Sequence, residues 1–151
     1  MRKNYPQNQR HSLAIQLIAL QRDFPDGRGT IQKSHLIWIC DILPNPLCRT
    51  YTIRLTYRLG KNPTTQVIKP SLKALAGDRI IPHLYSQEDE TLCLFLPWSS
   101  EWSENLFLSK TIIPWAHTWF LYFEHWIATD EWLGGGVHPS RKYGVMLCQL
   151  K

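Results

Sequence analysis

The chain has 151 residues, of which 44% are apolar and 19% charged, with a formal net charge of +5. That composition excludes a disordered chain, and the length suits one domain over residues 1–151 that buries roughly 70% of its unfolded surface. Much of the positive surplus lies near the two ends (Arg2, Lys3, Arg10, Arg141, Lys142, Lys151), and no basic stripe interleaves with aromatics, so a protein partner is expected rather than nucleic acid.

Helical spacing runs from His11 to Gln21, with Leu13, Leu17 and Leu20 on one stripe and Ala14, Ile15 and Ile18 filling in. Ser12 is the expected N-cap, and Phe24-Pro25-Asp26-Gly27 ends the helix. The apolar run LAIQLIAL is too short and too interrupted for a signal peptide or a membrane span, which predicts a cytoplasmic chain with reduced thiols and no membrane partner.

Three strands are expected next. Residues 36–43 are apolar and rich in β-branched side chains, and Asn45-Pro46 turns the chain. Residues 51–59 alternate, with Tyr51, Ile53, Leu55 and Tyr57 on one face and Thr52, Arg54, Thr56 and Arg58 on the other. Gly60-Lys61-Asn62-Pro63 is a turn, residues 65–68 form a short strand, and Pro70 ends it. A helix followed by a three-strand antiparallel meander predicts an α+β fold.

Residues 70–92 carry little regular signal apart from a helical turn at 71–76; an irregular stretch of this length in a compact domain is usually functional. Cys93 follows it, between Leu92 and Leu94. The last strong element is a helix over 109–128, with Pro114 in its first turn and Ile112, Trp115, Ala116, Trp119, Phe123, Trp126 and Ile127 on a core-facing stripe. Trp132 to His138 is a glycine loop without the pattern of a phosphate-binding loop, so no nucleotide cofactor is expected.

Cys93 admits three readings: a buried structural thiol, a cysteine hydrolase, or an acyl carrier that accepts a thioester and passes it to an amine. The sequence neighbours are acidic (Glu88, Asp89, Glu90, Glu101), which disfavours a thiolate if they are also close in space and fits a carrier better than a protease. His117 and His125 are eight apart with no second pair, so no metal site is expected. Cys40 and Cys48 read as inert, and nothing activates Cys148. Trp98 and Trp102 are candidates for walls of the groove at Cys93.

At these residues the chain resembles ubiquitin-conjugating (E2) enzymes over nearly its whole length. LIALQRDFP is similar to the E2 first helix, HLIWICDILPNP to the first strands, and Trp102-Ser103 with Leu108-Ser109-Lys110 to the segment after the active site. His83 precedes Cys93 by ten residues, the step between the family's His-Pro-Asn triplet and its cysteine. Leu84 and Tyr85 stand where the family has proline and asparagine. The run LCLFLP and the helix IIPWAHTWFLYFEHW with its glycine loop resemble the E2-like proteins of bacterial antiphage operons of the CBASS type, in the short form without a fused activating enzyme. The resemblance implies a UBC-like fold and Cys93 as the nucleophile, with the C-terminus of a cGAS-like nucleotidyltransferase as donor and a separate activating enzyme as a further partner. It implies His83 as a loop-organising residue and Tyr85 as an oxyanion candidate in the asparagine's place. His138, as base toward the attacking amine, and Asp130, as an acidic residue beside it, complete the expected set. A non-catalytic E2-variant binding module is the alternative.

Overall fold

A computed structural model describes residues 9–135 and the backbone of residues 137–138 and 146–147. Helix α1 (Leu13–Asp23) starts at Ser12, whose hydroxyl accepts the Ile15 N–H as the cap. Ala19 and Leu20 are buried and Leu13 and Leu17 pack against the core, whereas Ile15 and Ile18 face solvent, against the expectation that they fill the stripe. The place they would have taken belongs to Gln16. It is fully buried, donates to the Leu106 carbonyl at 2.8 Å and accepts the Leu108 N–H at 2.9 Å. One amide side chain thereby satisfies two backbone groups of a segment 90 residues away.

The sheet has six strands where three were expected: β1 (Arg28–Gln32), β2 (His35–Ile42), β3 (Tyr51–Tyr57), β4 (Thr64–Lys69), β5 (Leu84–Ser86) and β6 (Thr91–Leu92), in the order β1-β2-β3-β4-β6-β5 and antiparallel throughout. The three additions have physical reasons for escaping the sequence. Strand β1 is an edge strand with four of its five residues exposed, so it shows no apolar alternation. Strands β5 and β6 are three and two residues long, too short for a period to register.

In the centre, Leu36, Trp38, Cys40 and Ile42 of β2 sit opposite Tyr57, Leu55, Ile53 and Tyr51 of β3, all buried on one face. Helix α2 (Leu72–Ala76), capped by Ser71, is the expected helical turn. Helix α3 (Ile112–Thr129) covers the buried face with Ile112, Ile113, Ala116, Trp119, Phe120, Phe123 and Trp126, in agreement with the expected core stripe. Tyr51 stacks on Phe120 at 4.1 Å, and its hydroxyl donates to Glu124 of α3, which also pairs with Arg49 at 2.7 Å. Burial, then the Glu124 carboxylate, holds the Tyr51 phenol protonated far above its usual range.

The start of α3 is tied to the end of α1. Asp23 accepts from Ser109 Oγ at 2.7 Å and pairs with Lys110 at 3.0 Å and Arg22 at 2.8 Å. The hydrogen bonds from Arg22, Ser109 and Lys110 hold its carboxyl well below the ordinary carboxylate range. Among the described residues no helix is long and apolar enough to cross a membrane.

Candidate functional site around Cys93

His83 begins the local architecture. Its backbone has φ of +53°, and Leu84 then pairs with Leu92 as β5 turns back through residues 87–90 into β6. The Cys93 N–H donates to the His83 carbonyl at 3.0 Å. The same carbonyl accepts the indole N–H of Trp119 at 2.9 Å, which ties the loop to α3. The His83 ring is buried and stacks on Trp132 at 5.2 Å. Both residues around the ten-residue step are thus pinned, one by the sheet and one by the helix.

Two cavities meet at Cys93, which is 8% exposed. The first, about 210 Å³, is walled by Trp115, Trp119, Tyr122 and Trp132. The second, about 230 Å³, continues past Phe95 and Leu96 to Glu101. His83, Leu94 and Gly135 border both. Gly134 closes the aromatic side, where a Cβ would lie 2.7 Å from Trp132 Nε1 and 2.7 Å from the Tyr122 ring. The expected walls were Trp98 and Trp102. Trp98 stands exposed, and Trp102 packs edge-on against Tyr57 in the core. The tryptophans that do wall the thiol come from α3 and the glycine loop, elements remote from it in sequence.

Tyr85 reaches the thiol from β5. Its phenol donates to the Phe95 carbonyl and also hydrogen-bonds with the Cys93 thiol. Burial first, then Cys93 and Glu101, pushes the phenol far above its usual range, so it stays protonated at any physiological pH.

The acidic flank reads differently in space than in sequence. Glu90 is turned away to the start of α2, where it accepts from Ser71 Oγ and the Leu72 and Lys73 N–H groups at 2.8–3.0 Å. Asp89 pairs with Ser86. Of the four acids, only Glu101 lines a cavity at the thiol. Its Oε2 accepts the Leu96 N–H at 2.8 Å and lies 3.0 Å from Ser99 Oγ.

Asp130, the left-handed C-cap of α3, pairs with Arg79 at 2.6 Å and borders neither cavity at Cys93. His138 belongs to a two-residue strand β7 (Val137–His138) whose backbone pairs with β8 (Met146–Leu147). The expected role of its side chain lies outside the described residues, as does Cys148. Cys40 and Cys48 are free; burial pushes the Cys40 thiol up to about 11 and raises that of Cys48. Among the described residues no group of histidine, cysteine or acidic side chains could hold a metal ion.

The family model described as "Type II CBASS E2 protein" matches residues 16–139 of the chain. That span takes in α1 from Gln16 onward, the whole six-stranded sheet, the Cys93 cavities and α3. No curated protein matches the chain.

Proposed function

The chain belongs to the type II CBASS E2 protein family and so to CBASS defence, and on that premise we propose that Cys93 is an acyl carrier. Its thiolate attacks an activated C-terminal carboxyl, forming the C–S bond and expelling the activating group. An amine then attacks the thioester carbonyl, forming the C–N bond and releasing the thiol. The donor proposed is the C-terminus of the operon's cGAS-like nucleotidyltransferase, activated by a separate enzyme; the site is cytoplasmic.

The observation that carries this reading is the position of Cys93 at the meeting point of two cavities, one aromatic and one polar. A thioester placed there has room for the donor on one side and for the attacking amine on the other. His83 organises the loop through its carbonyl, and Tyr85 holds a protonated phenol beside the sulfur, able to turn from the Phe95 carbonyl to the developing oxyanion. His138 and Asp130 are the remaining acceptor-side candidates.

Reducing and non-reducing gels of the protein purified with its operon partners test the reading. A thiol-labile adduct is expected in the wild type, absent in Cys93→Ala and thiol-stable in Cys93→Ser. A wild type that forms no adduct under any activating condition is a binding module, not a carrier.

A further inference from the structure

We propose that the aromatic cavity beside Cys93 is a slot for one side chain of the donor. It takes a large apolar residue, aromatic or branched, one place before the donor's last residue, and so selects which carboxyl ends the cysteine accepts. The inference rests on the acyl-carrier reading and adds to it a rule for the donor's sequence.

Position and size carry the argument. A thioester fixes the donor's terminal carbonyl on the Cys93 sulfur. Neighbouring Cα atoms are about 3.8 Å apart, so the side chain one residue back from the end lies within reach of a cavity that borders the thiol. The cavity measures about 210 Å³. Pockets for whole small molecules begin at about 300 Å³, so this one suits a single side chain.

The lining sets the class of that side chain. Trp119 meets Trp132 edge-on at 5.3 Å, and Tyr122 meets Trp132 edge-on at 6.0 Å. The Trp119 indole N–H is already given to the His83 carbonyl, and the Thr118 hydroxyl donates to the Pro114 carbonyl at 3.2 Å. Neither group therefore asks for a polar partner in the occupant. A preformed slot with such walls favours burial of an apolar group and asks for little ordering. The second cavity at the thiol has the Glu101 carboxylate on its wall and lacks that character.

Direct loading from peptide thioesters tests the slot without an activating enzyme. The probes are mercaptoethanesulfonate thioesters of Gly-Ser-Gly-X-Gly, with phenylalanine, leucine, alanine or lysine at X. The Cys93 thiol gives its proton to water and its sulfur attacks the peptide carbonyl. One C–S bond forms, the other breaks, and the departing thiolate takes a proton from water. At subsaturating peptide, phenylalanine and leucine are expected to load about tenfold faster than alanine. Moving the phenylalanine to the second position should abolish the gain. Thr118→Trp, a change at an exposed position that lines the slot, is expected to bring the phenylalanine-to-alanine ratio to about 1. Equal loading of all four peptides overturns the slot, and so does a gain indifferent to where the phenylalanine stands. Lysine loading as fast as phenylalanine also overturns it, because the rings would then be holding a cation. A wild type that takes no peptide, while iodoacetamide still alkylates Cys93, overturns the acyl-carrier reading itself.

Discussion

The Cys93 N–H donates to the His83 carbonyl at 3.0 Å, so the ten-residue step visible in the sequence is closed by a backbone hydrogen bond. The His83 carbonyl holds the Cys93 N–H, while the His83 ring stacks on Trp132 and the residue borders both cavities at the thiol. That carbonyl has a second donor, the Trp119 indole. Trp119→Phe removes this bond and also part of a buried ring. It is expected to lower stability by about 2 kcal/mol in a denaturant titration. It should also slow loading of Cys93, because the loop loses its tie to α3.

Tyr85→Phe removes the hydroxyl that bonds both the Phe95 carbonyl and the thiol. The fold is expected to survive. If the phenol supports the oxyanion, amine discharge from the loaded thioester falls by about 10²-fold in single-turnover kinetics. A discharge rate equal to wild type would assign Tyr85 to packing alone.

Gln16→Leu fills the same place on α1 with an apolar side chain and strands the Leu106 carbonyl and the Leu108 N–H. Leaving one buried and one part-buried backbone group unmatched is expected to cost about 2 kcal/mol, measured by urea unfolding. An exposed neighbour such as Ile18→Ser should change stability far less.

Asp23→Asn tests the tie between α1 and the lead-in to α3. Because the folded-state carboxyl lies below its unfolded value of about 3.9, its stabilisation is present above that pH and is lost as pH falls toward the folded value. The melting temperatures of wild type and variant should therefore differ at pH 7 and converge as the solution is acidified below about pH 4. A gap that stays constant with pH assigns the effect to the Ser109 hydrogen bond alone.

Gly134→Ala places a Cβ against the indole nitrogen of Trp132 and the ring of Tyr122. Trp132 must shift, and with it the ring stacked on His83. Slower loading of Cys93 at near-unchanged melting temperature is the expected pair of results.

The sequence made the α+β class legible because its long elements carry strong periods: Tyr51 to Tyr57 alternates, and the α3 stripe repeats every three or four residues. Cys93 and His83 stood out through the resemblance to E2 enzymes, whose ten-residue step they keep. The walls of the thiol did not, because Trp115, Trp119, Tyr122 and Trp132 reach it only after α3 docks on the sheet. Nor did the sorting of the acidic run. Glu90 and Glu101 look alike beside Cys93 in sequence, and only the fold sends one to the start of α2 and the other into the cavity. Buried Gln16 is the clearest case of a polar residue whose partner no local pattern could reveal.

Strand β6 meets β4 through a single residue pair, Gln66 with Thr91, supported by the Val67 N–H to the Glu90 carbonyl at 3.1 Å. The hairpin partners β1 to β4, by contrast, share ladders of five to seven residue pairs, with one register shift between β3 and β4 at Thr52/Ile53. Strand β6, which leads into Cys93, is thus fastened to a much sturdier frame by very few bonds, and it is expected to open at lower free energy than the frame unfolds. Under native conditions its amides should exchange with deuterium well before those of β2 and β3. The rate at which an alkylating reagent reaches Cys93 then becomes a clock for that local opening, readable without unfolding the protein.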